Sequence, residues 1–188
     1  MRVSASTPSP IDGPLVVRAQ SADRSAMREL VRRHQRQVGA LLGRMLRPAG
    51  LGSLTEDLAQ EAFLRAFRAL DRFDPNGPAA FSTWLLRIAS RLAINELARK
   101  RPERASTDSL GSASTPESEH RRKRIGEAIE SAVGELPPPF RAAFLLREYH
   151  GLDYAEIAEM LDLELGTVKS RLSRARRLLR VQLEEVRE

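Results

Sequence analysis

The sequence predicts an all-α protein of two small helical domains joined by a flexible linker, the C-terminal one a helix-turn-helix. Apolar residues recur at intervals of three and four over long segments, and no segment shows the two-residue alternation of strands. A polar segment, Ala105–His120, with five Ser and two Thr, interrupts the helical pattern. Hydrophobic residues make up 41% of the 188 residues, so each half can bury a modest core.

The first domain is predicted over residues 22–102, after a disordered N-terminal tail over residues 1–21 that contains Pro8, Pro10 and Pro14. Its first helix should cover about 22–47 and end at Pro48 and Gly50. A second helix should follow a capping box formed by Ser53 and Glu56. The segment Asp74–Pro78 is a strong turn signal, and a third helix should run over about 79–100.

The flexible linker is predicted over residues 103–122 and the second domain over residues 123–188. Helical patterns cover about 121–135, 140–149, 154–161 and 165–186. Asp153 can cap a short helix, with Glu156 three residues on. Asp162 tolerates the left-handed backbone that a tight turn requires, and a second helix should start near Gly166 and Thr167. This is the anatomy of a helix-turn-helix.

The second helix of this motif separates into two stripes on a helical wheel. Apolar side chains cluster within about 60° of arc, and a second stripe of about 140° offers hydrogen-bond donors. The apolar stripe consists of Val168, Leu172, Ala175 and Leu179, and the donor stripe of Lys169, Ser170, Ser173, Arg174 and Arg177. Because Arg and Lys can donate to guanine O6 and N7, such a face suits the major groove. The alternative is a basic, solvated face on an ordinary helical hairpin.

Composition excludes several other classes of protein. Lys and Arg number 31 against 25 Asp and Glu, a formal net charge of +6, which fits a polyanionic partner without identifying it. There is no Cys, and the three His are far apart in sequence, so we predict neither a metal site nor a cofactor. No carboxylate pair combines with His or a Gly-rich loop into a catalytic site, so an enzyme is not expected.

Membrane insertion and secretion are not expected either. No apolar run approaches the roughly 18 residues that span a bilayer. The N-terminus has no apolar signal core. A cytoplasmic location is therefore the expectation.

Five stretches of the sequence carry recognisable motifs. EDLAQEAFLRAF at 56–67 and FSTWLLRIA at 81–89 resemble region 2 of the sigma factors of bacterial RNA polymerase. The stretches LPP at 136–138, YAEIA at 154–158 and GTVKSRL at 166–172 resemble sigma region 4. Two domains with a short linker and no room for regions 1 or 3 resemble the extracytoplasmic-function (ECF) group of the sigma-70 family.

The resemblance implies a role that composition cannot show. Such proteins bind core RNA polymerase and direct it to promoters. Region 2 reads the minus-10 element as single-stranded DNA, and region 4 reads the minus-35 element as duplex and docks on the polymerase flap. Proteins of this group are often held by an anti-sigma factor, so such a factor is a further candidate partner.

The resemblance also assigns candidate residues to each partner. Residues matching the helix that binds the polymerase clamp helices are Asp57, Gln60, Glu61 and Arg65. Residues expected at the minus-10 element are Asn76, Phe81, Ser82, Thr83, Arg87 and Arg91. Those expected at the minus-35 element are the donor stripe with Thr167 and Arg171, and two residues equally readable as ordinary surface, Tyr154 and Arg147.

A stand-alone helix-turn-helix regulator is the alternative function. It accounts for Asp153–Arg180 but leaves the two region 2 stretches without a role.

Overall fold

The computed structural model of the protein describes residues 12–77, 79–99 and 117–185, with side chains over 124–184 in the last range. These ranges contain eight α-helices and no β-strand, so the all-α prediction is confirmed. The helices are α1 Gly13–Gln20, α2 Arg24–Leu46, α3 Thr55–Arg68, α4 Phe81–Arg99, α5 Glu117–Glu135, α6 Pro138–Glu148, α7 Tyr154–Leu161 and α8 Leu165–Glu185.

Helices α1 to α4 form the N-terminal domain. α2 is its central element and packs against the other three. The helix begins where the Asp23 carboxylate accepts hydrogen bonds from the backbone N–H groups of Ser25 and Ala26, the usual function of an aspartate at this position. Its buried stripe includes Leu30, Val38 and Leu41.

The predicted disordered tail is wrong for residues 13–20, where α1 forms. This short helix buries Val16 and Ala19 and packs on α2. Pro14, which indicated irregular chain in the sequence, lies in the first turn, where a missing N–H costs no hydrogen bond. Residues 1–11 of the predicted tail lie outside the described residues.

The predicted capping box of Ser53 and Glu56 is also wrong. Ser53 lies within a 3-10 turn, Gly52–Leu54, and α3 begins after Leu54 without a side-chain cap. The Thr55 hydroxyl instead donates to the carbonyl of Gly52 at 2.7 Å. Glu56 remains in the first turn, where its charge interacts favourably with the helix dipole.

The predicted linker over residues 103–122 lies mostly outside the described residues. Its last part does not, because α5 already begins at Glu117.

In the C-terminal domain, α8 packs against α5, α6 and α7. Leu145, Ile157 and Leu172, one from each of α6, α7 and α8, are fully or almost fully buried.

The two domains pack against each other, with α6 on both α2 and α4 and α7 on α4. Arg141 on α6 is the buried centre of this interface. Its guanidinium donates to the carbonyls of Met45 at 2.7 Å, Gly134 at 2.6 Å and Leu136 at 2.9 Å. Burial lowers the pKa of Arg141 to about 10, so the side chain stays charged at neutral pH. Because Met45 belongs to α2, one buried cation joins both domains.

Ion pairs and an aromatic contact lie around this centre. Arg44 on α2 pairs with Glu130 on α5 at 3.0 Å, and its guanidinium lies 4.4 Å from the ring centroid of Tyr149. Arg87 on α4 pairs with Glu159 on α7 at 2.6 Å.

Within the described ranges, no helix is both long enough and apolar enough to cross a membrane.

Candidate nucleic-acid interface

The turn between α7 and α8 is built from the residues that the sequence indicated. The Asp153 carboxylate accepts from the Glu156 backbone N–H at 2.8 Å, and the Glu156 carboxylate accepts from the Asp153 N–H at 2.7 Å. The predicted capping box is therefore confirmed. Asp162 takes the left-handed conformation at φ 57°, and the N–H of Leu163 donates to the Ala158 carbonyl at 2.9 Å. This turn fixes the direction in which α8 leaves.

Helix α8 presents the two predicted stripes. Val168, Leu172, Ala175 and Leu179 are buried against the rest of the domain. The donor stripe of Lys169, Ser170, Ser173, Arg174 and Arg177 is exposed, while Thr167 and Arg171 at its border are half-buried. Ser170 donates to the Thr167 carbonyl at 3.0 Å, so one hydroxyl is oriented by its own helix. The result is an exposed cationic face on a rigid support.

Arg147 and Tyr154 take part in contacts within the C-terminal domain. Arg147 donates to the carbonyl of Leu152 at 2.8 Å, and its guanidinium lies 5.2 Å from the Tyr154 ring centroid. The Tyr154 hydroxyl lies 3.4 Å from Arg176, which also donates to Glu148 at 2.8 Å. The hydrogen bond to Glu148 raises the pKa of Arg176 above its ordinary value. These side chains thus brace the base of α7 and α8.

The second cluster of predicted residues lies between α3 and α4. The Asp74 carboxylate accepts from the Asn76 N–H at 2.9 Å and shapes the exposed turn. Behind it, the rings of Phe73 and Trp84 lie 5.0 Å apart between centroids, and those of Phe73 and Phe81 5.8 Å apart. The turn therefore rests on an aromatic cluster.

Phe81 is only 3% exposed, which argues against the predicted DNA contact by its ring. The ring also lies 5.4 Å from that of His34 on α2, so it is a core residue supporting the turn from below. The register of Phe81 with the apolar positions of α4 already contained this signal. Ser82 and Thr83, next along the helix, are half-buried.

The two arginines predicted on α4 have different surroundings. Arg91 is exposed, whereas Arg87 is half-buried and paired with Glu159. A cleft of about 170 Å³ separates α4 from α7 at this point. Its lining consists of Ala79, Thr83, Trp84, Arg87, Glu156, Glu159 and Met160. The first helix of the helix-turn-helix therefore covers part of the second cluster.

The four residues predicted to bind polymerase share one face of α3. Asp57, Gln60 and Arg65 are exposed, and Glu61 pairs with Arg65 at 2.6 Å. Leu64 is 44% exposed and was missed by the sequence reasoning. At 100° per residue it lies about 20° from Asp57, in the middle of the polar stripe. A helical wheel of α3 would have placed Leu64 on this face, because the angular position follows from the sequence alone.

The family relationship is clear from comparison with known families. The family described as Sigma-70 region 2 matches residues 30–103, and Sigma-70, region 4 matches residues 126–179. Each match covers one domain, in the order that the motifs indicated. The fold and the two clusters therefore define a protein of the sigma-70 type.

Similarity to individual proteins identifies the group. The ECF RNA polymerase sigma-E factor of Escherichia coli strain K12 is 39% identical over 178 residues, 88% of this chain and 90% of that protein. The sigma-E factor of Haemophilus influenzae is 35% identical over 181 residues, 89% of this chain and 93% of that protein. The chain belongs to the ECF sigma factors of the sigma-70 family. A stand-alone regulator, which leaves residues 30–103 without a role, is not supported.

Solved structures show the same architecture. CnrH in complex with the cytosolic domain of CnrY matches with a TM-score of 0.63 and 28% identity, over 93% of this chain and 97% of that chain. The sigma factor RpoE in complex with the anti-sigma factor NepR from Bartonella quintana matches with a TM-score of 0.59. At 20% identity, over 83% of this chain and 97% of that chain, the second likeness shows the fold alone.

Proposed function

We propose that this protein binds core RNA polymerase and directs it to promoters, reading the minus-35 element as duplex and the minus-10 element as melted strand. The observation that carries the proposal is the exposed donor stripe of α8 on a buried apolar stripe. The protein performs no catalysis of its own and works in the cytoplasm with the polymerase. Membership of the ECF group supports this role.

At the minus-35 element, α8 lies in the major groove. The guanidinium groups of Arg174 and Arg177 and the Lys169 ammonium donate to base edges or phosphates. Ser170 and Ser173 add shorter contacts, and Thr167 and Arg171 approach the backbone at the border of the stripe. Tyr154 and Arg147 act mainly by holding α7 and α8 in place, because both already have partners inside the domain.

At the minus-10 element, the turn after Phe73 and the start of α4 hold an extruded base. Asn76, Ser82 and Thr83 supply polar groups for the base edge, which is accessible only outside the stacked duplex. Arg87 and Arg91 lie further along α4 and neutralise phosphates of the separated strand. Phe81 supports this surface from the core.

The stripe on α3 binds the clamp helices of the polymerase. Asp57, Gln60, Glu61 and Arg65 provide the charged and polar contacts, with Leu64 as the apolar anchor at their centre. The C-terminal domain docks on the polymerase flap. One solved neighbour, RpoE from Bartonella quintana, is described as a complex with the anti-sigma factor NepR, and we extend that class of partner to this chain.

In vitro transcription with purified core polymerase on a genomic promoter library tests the proposal. The protein should add initiation at a defined subset of promoters that share minus-35 and minus-10 sequences. Folded protein and active core without added initiation at any promoter would falsify the proposal.

Asp57→Arg separates polymerase binding from DNA binding. The variant should weaken binding to core polymerase, because it reverses the charge of an exposed residue in the stripe. Binding of the minus-35 duplex should stay as in the original protein, since α8 is untouched. Glu56→Arg, the same kind of charge reversal at an exposed residue of α3 about 40° outside the stripe, is the control. Equal core affinity of Asp57→Arg and the original protein in a pull-down contradicts the assignment.

A further inference from the structure

The side chain of Gln20, the last residue of α1, joins two distant parts of the N-terminal domain. Its Nε2 donates to the carbonyl of Leu70 at 2.9 Å and to that of Phe73 at 2.8 Å. The two acceptors are 50 and 53 residues away in sequence. One amide group therefore holds both ends of the segment that leads into the turn at Asp74.

The segment held by Gln20 changes conformation over a few residues. Leu70–Arg72 is a 3-10 turn, and Phe73 leaves it in an extended conformation with φ −85° and ψ 124°. The side-chain hydrogen bonds to Leu70 and Phe73 lie outside any helix ladder, so they depend on the position of α1. Since Phe73 directly precedes the turn of Asp74 and Asn76, a shift of its backbone moves that turn.

Helix α1 is itself fixed in place. Val16 and Ala19 are buried, and Arg18 pairs at 2.6 Å with Asp23, the N-cap of α2. The buried carboxylate of Asp12 lies 3.0 Å from Nε2 of His34 on α2.

The other end of the turn is held by α2. The His34 ring lies against Phe81, the first residue of α4. Side chains of α1 and α2 thus contact the residues that precede and follow the turn at Asp74 and Asn76.

We infer that Gln20 is a positioning residue for the minus-10 element: its amide holds the backbone of residues 70–73 so that Asn76, Ser82 and Thr83 meet an extruded base. The inference rests on the proposed function of that turn. Gln20 does not touch DNA and acts through the two carbonyls. Reading a base edge needs groups placed to within about 0.5 Å, so the loss of two hydrogen bonds behind the turn should weaken discrimination between bases.

The test uses the full-length protein with core polymerase and templates that differ at single minus-10 positions. Gln20→Met keeps the length of the side chain and removes both donors. We expect discrimination between preferred and altered minus-10 bases to fall about tenfold, which corresponds to about 1.4 kcal/mol. Affinity for the minus-35 duplex should stay within twofold. Val17→Ala, at the 50% exposed neighbour on the same helix, is the matched control.

The outcomes separate the inference from the proposed function. If the original protein shows no minus-10 base preference, the proposed function of the turn fails. If the original protein discriminates and Gln20→Met keeps that discrimination, the positioning role of Gln20 is overturned. Gln20→Asn, whose shorter amide reaches one carbonyl at most, should lose an intermediate part and serves if Gln20→Met does not fold. Unchanged discrimination in Gln20→Asn then overturns the inference equally.

Discussion

The face of α8 and the start of α4 are both candidate DNA readers, but they differ in how they are supported and how accessible they are. The donor stripe of α8 is exposed and braced entirely within its own domain, by the capping box of Asp153 and by Arg147 and Arg176. The start of α4 is braced by α1 and α2 and partly covered by α7. The stripe of α8 is open to solvent, whereas Arg87 is already paired with Glu159.

The proposed DNA binding therefore has a different requirement at each surface. The face of α8 is accessible in the packed arrangement of the domains, whereas α7 has to move from α4 before the whole start of α4 can bind a DNA strand. Four changes to the protein break or sharpen this contrast.

Arg141→Met should have the largest effect, because it removes the cation that joins the domains. The variant leaves the carbonyls of Met45, Gly134 and Leu136 without their donor, which should lower the free energy of unfolding by about 3 kcal/mol. Urea denaturation measures this loss. Arg124→Met, at an exposed arginine of α5, is the control and should change stability by less than about 0.5 kcal/mol. Equal stability of both variants contradicts the central role of Arg141.

Arg174→Ala should weaken DNA binding by the donor stripe of α8 alone. Loss of one base-reading guanidinium should cost about 2 kcal/mol in minus-35 affinity and relax base preference at one position. Binding of a minus-10 single strand should not change. Arg124→Ala, which removes the same charge at an exposed arginine of α5, should affect affinity much less. An unaltered preference in Arg174→Ala removes this residue from the base-reading set, and fluorescence anisotropy on a duplex panel measures it.

His150 should make the packed arrangement sensitive to acid. Burial and the nearby charge of Arg44 lower its pKa to about 4, and Gln37 lies 3.4 Å from its Nδ1. The packed state therefore holds the neutral imidazole, while the unfolded state binds a proton below the ordinary value of 6.5. Stability should fall as pH drops from about 6.5 to 4, by at most about 1.4 kcal/mol per pH unit.

Urea titrations at pH 7 and pH 5 measure this dependence, and His150→Gln isolates the contribution of the imidazole. The variant should lose less stability between the two pH values than the original protein. The same loss in both proteins would show that other groups cause the pH dependence.

Glu159→Gln should have the smallest effect, and it acts on the start of α4, which α7 partly covers. The Arg87–Glu159 pair is largely exposed on the glutamate side, so it contributes well below about 1 kcal/mol. Freed from the carboxylate, Arg87 should bind a minus-10 single strand up to about threefold more tightly. Glu164→Gln, an exposed change beside α8, controls for the loss of a negative charge. An equal gain in both variants attributes the effect to net charge.

The sequence predicted the local structure around α8 well and that around the start of α4 only in part. Around α8, local signals agree with the final structure: Asp153 and Glu156 cap, Asp162 turns, and Val168 begins the buried stripe. Periodicity and capping depend on residues close in sequence, so they are readable without a structure.

The missed features depend on contacts between distant residues. Helix α1 is short and buries only Val16 and Ala19 beside Asp12, so its stability comes from packing on α2. The buried position of Arg141 follows from α2 lying opposite α6, which no local pattern reports.

Arg141 also determines how the domain interface responds to ionic strength. Salt screens the outer pairs of Arg44 with Glu130 and Arg87 with Glu159, since these side chains reach solvent. The buried guanidinium faces neutral carbonyl oxygens and little water, so dissolved ions barely weaken its hydrogen bonds. Rising salt therefore loosens the edges of the interface while its centre holds.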